Sequence, residues 1–407
     1  MKCVIGLLAC LCSLASNAES LPTQAGIKQF VQRVLEENPR VRAANASQRA
    51  ASAFGEAADR PAYNPALSAG IESSDGNART VTLSQTLDWR GKREAKTSVA
   101  LAELDVANWQ RVLVRQAVAG ELVSALAEWS AAVALDRLAA RKLEIIDQFD
   151  ELAGRRLRAG DLSGVERDFA ALSLANARID RAATAVALEE AAQKVIRVAP
   201  GVQRSEWPSI TGLPPQIDDN VDTSLVEIPL VARMRGELLA AQARVRETKR
   251  ARQADPTVSL TGGRESGQSL VGLTVSIPLN VLNNYNGEVD AAQARAVVAA
   301  RRFDDAVIAA TTDLAAIRTR YEALRDAWTT WLGSGQPSLD RQVETLRNLW
   351  ASGDMSTTDY LVQAEKTIDV RARARRLEQS TWQAWSQWLV TSGSMENWIN
   401  EGKQNEN

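Results

Sequence analysis

Histidine is absent from all 407 residues, and the only three cysteines, Cys3, Cys10 and Cys12, lie close to the N-terminus. The rest of the chain therefore has no imidazole or thiolate ligands for a metal, no disulfide partners, and no means of assembling a nucleophile–histidine dyad or triad. Paired acids, a glycine-rich phosphate loop and a nucleophile elbow are missing too, so the sequence does not read as an enzyme and implies no cofactor. Aromatic residues make up 5% of the chain, which suits long, closely packed helices better than one large globular core. The formal charge is -2, and no basic stripe interleaved with aromatics points to nucleic acid. Four methionines in all, with no cluster, mark no site for soft metals. Beyond the N-terminus no run of 18 apolar residues is found, so no transmembrane helix is expected.

What is present begins with residues 1–18. Lys2, the apolar run from Val4 to Leu14, and the small residues Ser16 and Ala18 predict a secretory signal peptide cleaved before Glu19. Leu7-Leu8-Ala9-Cys10 has the form of a lipoprotein cleavage box but lies too early in the apolar run.

The chain is organised around two hairpins. Over residues 256–280, an Asp255-Pro256 break leads into a Thr/Val/Leu strand, a polar turn, and a second strand from Leu270 to Leu279. In that strand Val271, Leu273, Val275, Ile277 and Leu279 share one face, while Gly272, Thr274 and Ser276 share the other. Residues 65–89 repeat the pattern about 190 residues earlier. There Val81, Leu83, Leu87 and Trp89 alternate with Thr80, Thr82, Ser84 and Thr86, and Gln85 falls on the apolar side. Strands of this length, with one apolar and one small polar face, suit a membrane β-barrel, where about 9–11 residues cross the bilayer. Trp89 and Tyr285 flank the strands where interfacial aromatics are expected.

The remainder reads as helix. Ile27, Phe30, Val31, Val34 and Leu35 give an amphipathic stripe within residues 24–59, kinked or restarted at Asn38-Pro39. From Gly91 to about Arg158 the pattern predicts a rod of about 100 Å, rich in alanine over 117–140. A turn at 159–164 follows, with Gly160 as C-cap and Asp161 or Ser163 as N-cap, and the next helix runs to about Val198. A Pro/Gly/Asp-rich linker, 199–223, separates this first repeat (19–198) from a second (224–392). The second has a helix, its hairpin, a long helix interrupted at Gly333–Pro337, a turn at 351–356 and a last helix. Gly353-Asp354-x-Ser356 repeats Gly160-Asp161-x-Ser163. Residues 393–407 read as a polar, disordered tail.

The fold class expected is therefore mostly α with a small β part. Four strands cannot close a barrel, and an open edge cannot sit in lipid, so the hairpins must either oligomerise or not be membrane strands. Three chains would supply twelve strands and a ring of helical rods continuing the channel.

Several of these residues carry a resemblance. They are Leu83-Ser84-Gln85 leading to Gly91-Lys92-Arg93, Asp255-Pro256-Thr257-Val258-Ser259, and Ser276-Ile277-Pro278-Leu279 leading to Asn284-x-x-Gly287-Glu288-Val289. A last group is Gly353-Asp354-Met355-Ser356 with Asp359-Tyr360-Leu361. In order and spacing the chain, from about residue 25 to 393, resembles the TolC-like outer-membrane efflux proteins, closest to the heavy-metal (CzcC-type) branch. It departs from them at Asp88-Trp89-Arg90, where members commonly show an acidic-x-Gly. The resemblance implies a homotrimeric duct with a tandem-duplicated α-barrel and a 12-stranded membrane β-barrel. It also implies a periplasmic adaptor (membrane-fusion) protein and, indirectly, an inner-membrane efflux pump as partners. The turns with Arg158, Gly160, Asp161 and Ser163, and with Gly353, Asp354 and Ser356, become adaptor-docking tips. Asp359, matched by Glu166 in the first repeat, falls where members place an acidic ring at the periplasmic mouth; Val362 stands where a second acid would lie. A carboxylate in the first turn of a helix is also favoured by the macrodipole alone. The alternatives are a type I secretion or drug-efflux outlet of the same family, and a soluble periplasmic coiled-coil adaptor or scaffold.

Overall fold

The computed structural model describes residues 24–73, 77–217 and 225–401. The predicted signal peptide, the turn of the first hairpin and part of the predicted linker lie outside the described residues. Two helices open the chain, α1 (Gln24–Glu37) and α2 (Pro39–Ala58). They divide at Asn38, whose side-chain oxygen accepts from the Arg40 amide at 2.8 Å while its amide donates to the Val198 carbonyl at 2.7 Å. Pro39 sits at the first helical position, where its missing N–H leaves nothing unpaired.

The hairpin of β1 (Ala66–Glu72) and β2 (Ala78–Thr86) leads into α3 (Lys92–Ala159), a single helix of 68 residues, and then α4 (Gly164–Val198). The second half repeats this order with α5 (Pro229–Ala251), β3 (Thr257–Glu265), β4 (Gln268–Ser276), α6 (Asn286–Thr330), α7 (Gln336–Ser352) and α8 (Thr357–Ser392). All four strands join one antiparallel sheet in the order β1-β2-β3-β4, so the two halves meet through β2 and β3. The sheet ends at Ser276, short of the Leu279 expected, because Pro278 has no N–H to offer a ladder.

The main core is a belt around the middle of the rods. It gathers Phe30, Val31 and Leu35 of α1, Val118 to Leu126 of α3, Val195 of α4, Tyr321 of α6 and Trp385 of α8. Its tryptophans pack edge to face: Trp382 on Trp385 at 5.3 Å, Trp385 on Trp398 at 5.0 Å, Trp129 on Trp207 at 5.3 Å. Small residues let α3 and α8 approach here. A Cβ on Gly120 would run into Val390, and the Ser386 hydroxyl donates to the Gly120 carbonyl at 2.9 Å. One window of α3 is, by length and composition, apolar enough to cross a membrane, but most of it is buried inside the protein.

Two further expectations are corrected. Residues 393–401 are no disordered tail. Gly393 ends α8 in the left-handed conformation, and α9 (Met395–Asn400) folds back so that Met395, Trp398 and Ile399 complete the core. Nor is the helix broken at Gly333–Pro337. Residues Trp331–Gly335 form a π-turn joining α6 to α7, because Pro337 falls at a first-turn position and Gly335 leaves room for the Trp331 ring. Replacing Trp398 by alanine should lower the stability of the detergent-solubilised protein by about 3 kcal/mol in denaturant titrations followed by circular dichroism. A loss below about 0.5 kcal/mol, the range of ordinary surface substitutions, would show that α9 merely rests on the surface.

Candidate functional site

The sheet has two chemically distinct faces, and the register shows it row by row. Leu67, Leu83, Leu260 and Leu273 are successive cross-strand partners, at 74%, 50%, 54% and 71% exposure. Val81 and Val271 extend this apolar face one way, and Val258 and Val275 the other. The opposite face is a ladder of hydroxyls: Thr82 with Thr261 at 2.9 Å, Ser84 with Ser259 at 3.0 Å, Thr86 with Thr257 at 2.9 Å. Gln85, on the apolar side by parity, turns its amide to the carbonyls of Tyr63 and Thr86. Along β1 and β4 the outer backbone groups have no strand partner among the described residues.

Where the sheet meets the rods, the chain is held by charge and by backbone shape. Asp88 receives the amides of Lys92 and Arg93 at 2.7 Å each and so caps α3, which is what the unusual Asp88-Trp89-Arg90 segment accomplishes. Gly91 takes a φ of 67°, and a Cβ there would collide with Arg250, whose guanidinium donates to the Gly91 carbonyl at 2.9 Å. Asp255 is buried against Lys92 at 3.0 Å and the Tyr63 hydroxyl at 2.8 Å. Trp89 stands 56% exposed at this level, donating to the Ala254 carbonyl at 3.1 Å, with Arg90 over its ring. Tyr285, also exposed, lies at the start of α6 with a φ of 55°, held by an Asn283 side chain that accepts from its amide.

At the far end the two tips are the same device twice. Gly160 and Gly353 adopt φ of 83° and 85°. Asp161 donates its amide to the Arg156 carbonyl and Asp354 to the Leu349 carbonyl, both at 3.0 Å, the six-to-one bond of a Schellman motif. Ser163 and Ser356 then cap α4 and α8. Glu166 and Asp359, three residues on, each accept the hydroxyl of their capping serine, at 2.8 and 2.7 Å. Hydrogen bonds from the Ser163 amide and hydroxyl hold the Glu166 carboxyl below its ordinary range. Both acids are exposed, as are Arg158, at the negative end of α3, and Asp161. Asp354 accepts from the Ser352 hydroxyl at 2.7 Å. A single chain does not bring Asp359 and Glu166 into contact.

Three features near the tips were not read from the sequence. Phe149, Leu152, Leu162, Val165 and Phe169 line a 300 Å³ cavity between α3 and α4, and Thr358 of α8 closes one side. Trp350 and Tyr360 stack across the second tip at 4.9 Å. Along α4, Val165, Phe169, Leu172, Ile179 and Val186 form an uncovered seam, with Asn176 and Ala183 in register; its four-three spacing was the signal available. Higher up, Lys142 of α3 lies between Asp180 of α4 at 3.1 Å and Asp369 of α8 at 3.9 Å. Burial pushes the nearby Glu365 carboxyl up, against the pull of Lys142 and with the repulsion of Asp369 and Asp180. Among the described residues no cluster of acidic, histidine or cysteine side chains is arranged to hold a metal ion.

Ser163→Ala should speed amide exchange at the start of α4 by about fivefold, the effect of losing an N-cap. Because the folded pKa of Glu166 is depressed, its contribution is present above its ordinary value of 4.5 and fades as pH falls through the folded value. The difference between wild type and variant should therefore narrow in acid; a constant difference would remove Glu166 from the cap.

No family model matches the chain. The cobalt-zinc-cadmium resistance protein CzcC of Cupriavidus metallidurans is 25% identical over 325 residues, 77% of each chain. The outer membrane channel CmeC of Campylobacter jejuni matches with a TM-score of 0.75 at 13% identity, over 93% of this chain and 89% of that one. The outer membrane protein VceC of Vibrio cholerae matches with a TM-score of 0.71 at 18% identity, over 91% and 96%. At those identities the two solved structures speak for the fold alone. In sequence the chain is thus similar to one outer-membrane resistance protein, and in the order of its hairpins, rods and paired tips it has the fold of the TolC-like outer-membrane channels.

Proposed function

We propose that the protein is the outer-membrane channel subunit of a tripartite efflux system, a passive duct that performs no chemistry. The observation that carries this reading is the four-stranded sheet with one leucine/valine face, one hydroxyl face and two unpaired edges. In lipid every backbone polar group must find a partner, so β4 of one copy pairs with β1 of the next until the sheet closes. Three copies bring twelve strands, an even number wide enough for a lumen lined by Ser and Thr. The α4 seam supports the same assembly, since it offers an unpaired coiled-coil face to a neighbouring copy.

Trp89 and Tyr285 then lie at the periplasmic edge of the membrane, and the rods extend into the periplasm. The tips around Arg158, Gly160, Asp161, Ser163, Gly353, Asp354 and Ser356 dock on a periplasmic adaptor protein, through which an inner-membrane pump delivers substrate. Asp359 forms a single acidic ring at the mouth, with Glu166 nearby, and three carboxylates around an axis attract cations. The name of the Cupriavidus metallidurans relative, a cobalt-zinc-cadmium resistance protein, supports metal cations as the cargo. Opening separates the helix tips.

Two measurements test this. Protein extracted in detergent from fractionated envelopes should run as a trimer from the outer-membrane fraction; a soluble monomer or dimer would leave a periplasmic scaffold as the better reading. In planar bilayers, Asp359→Asn should lower the cation-to-anion permeability ratio at low salt by about tenfold, equivalent to losing ~1.4 kcal/mol of attraction. The effect should shrink as salt screens the ring. Unchanged selectivity in an assembled trimer would leave Asp359 as a helix cap only.

A further inference from the structure

The end of the sheet farthest from the rods separates charge by face. Arg79 of β2 and Arg264 of β3 are direct cross-strand partners, and both side chains are exposed. Alternation puts Arg79 on the face of Val81 and Leu83, and Arg264 on the face of Leu260. Glu72 and Glu265, the acids at the same end, have the opposite parity and share the face of Ser68 and Thr261. The acids thus belong to the hydroxyl face and the two arginines to the apolar one.

This arrangement is unfavourable in isolation. Like charges directly opposite each other on a ladder repel, and neither guanidinium has a hydrogen bond or ion pair among the described residues. Gly263 lets β3 lie so close to β2 at this level that a Cβ there would strike the Arg79 carbonyl oxygen, which sets the two arginines near each other. Two guanidiniums on cross-strand partners, unpaired among the described residues, are the donor set for a dianionic or bidentate oxyanion.

Their height above the rods says where that anion comes from. Ten positions separate Arg79 from Trp89. Seven of them, to Thr86, are strand, about 23 Å or about 18 Å along the membrane normal at a strand tilt of about 40°, and the last three turn beyond the strand end, so the span approaches the about 25 Å height of the apolar band of an outer-membrane barrel. With the tryptophan at the periplasmic boundary, the arginine pair lies at the outer-leaflet headgroups and on the lipid side of the wall.

We propose that Arg79 and Arg264 form a binding site for the phosphate of an anionic lipid headgroup in the outer leaflet, a phosphorylated glycolipid. The site rests on the membrane-barrel reading above. One phosphate neutralises both guanidiniums, relieves their repulsion, and ties β2 to β3 at the line where the two repeats join. The lumen-facing acids Glu72 and Glu265 take no part.

The test uses the full-length protein in detergent, titrated with diphosphoryl lipid A, with chemically dephosphorylated lipid A, or with inorganic phosphate, and read by native mass spectrometry. Wild type should retain diphosphoryl lipid A, and R79Q/R264Q should bind it about tenfold more weakly, the loss of one charge-assisted pair. Dephosphorylated lipid A should bind both proteins equally poorly, and E72Q/E265Q should match wild type. Should the double arginine variant not assemble, R79Q and R264Q singly decide, each expected to weaken binding by about threefold. Equal retention by wild type and the arginine variants overturns the site, as does displacement of the lipid by equimolar inorganic phosphate, which would make it a free-anion site. The mass of the lipid-free wild type separates the two readings. A trimer that ignores the lipid phosphate sinks this site alone, whereas a soluble monomer sinks the barrel with it.

Discussion

A strand edge cannot end in hydrocarbon. Each unpaired N–H or C=O left facing lipid is costly, and the β1–β4 sheet leaves a row of them on either side. In the channel proposed above, copies of the same chain close those edges, and most of the other structural features suit that closure. The outer face must be apolar wherever it meets lipid, which the Leu67–Leu83–Leu260–Leu273 row satisfies. The inner face must be small and polar to leave a lumen, which the Ser/Thr ladder satisfies. In that assembly each copy contributes its pair of hairpins, and the proposal places the helices that follow them around the same axis.

The join between sheet and rods must therefore transmit position without slack. It is built from parts with little freedom: Gly91 in a conformation other residues resist, Asp88 as an external cap for α3, and a buried Asp255–Lys92 pair with Tyr63 upon it. Below it, the tryptophan belt packs α1, α3, α8 and α9 at the closest approach the small residues allow. Rigidity at this level contrasts with the tip region, where the second core is a small cluster around Ile146, Leu174 and Leu361 and the contacts between hairpins pass through charges such as Lys142 with Asp180 and Asp369. The π-turn at Trp331–Gly335 occurs only in the second repeat, so the two halves, alike in topology, differ in the helix that leads to the second tip.

Much of this was legible in the chain because it depends on local periodicity. Period-two alternation gave the hairpins and their faces, and Gly-Asp-x-Ser gave both tips, since a left-handed C-cap and a serine N-cap are local requirements. The bonds that Ser163 and Ser356 make to Glu166 and Asp359 were also foreseeable, as a carboxylate three residues past a capping serine closes on it. Local reasoning failed where distant contacts decide. Residues 393–401 look like a polar tail until Trp398 is seen against Trp385. Gly333–Pro337 is a different case: the contact of Gly335 with the Trp331 ring is only four residues long, but its Gly/Ser/Pro composition reads as a break.

By itself, then, the sequence determined which segments are strand and rod, where they turn, that they occur twice, and which face of each strand is apolar, because all of these are set by residues within a few positions of one another. Tertiary structure decided that β2 pairs with β3, in a register that sets Arg79 beside Arg264 on the apolar face. It likewise decided that α9 returns to the core and that α4 keeps an uncovered seam. The strand register and the return of α9 depend on contacts between residues more than a hundred positions apart, and no local pattern encodes a register between strands that the chain separates so far.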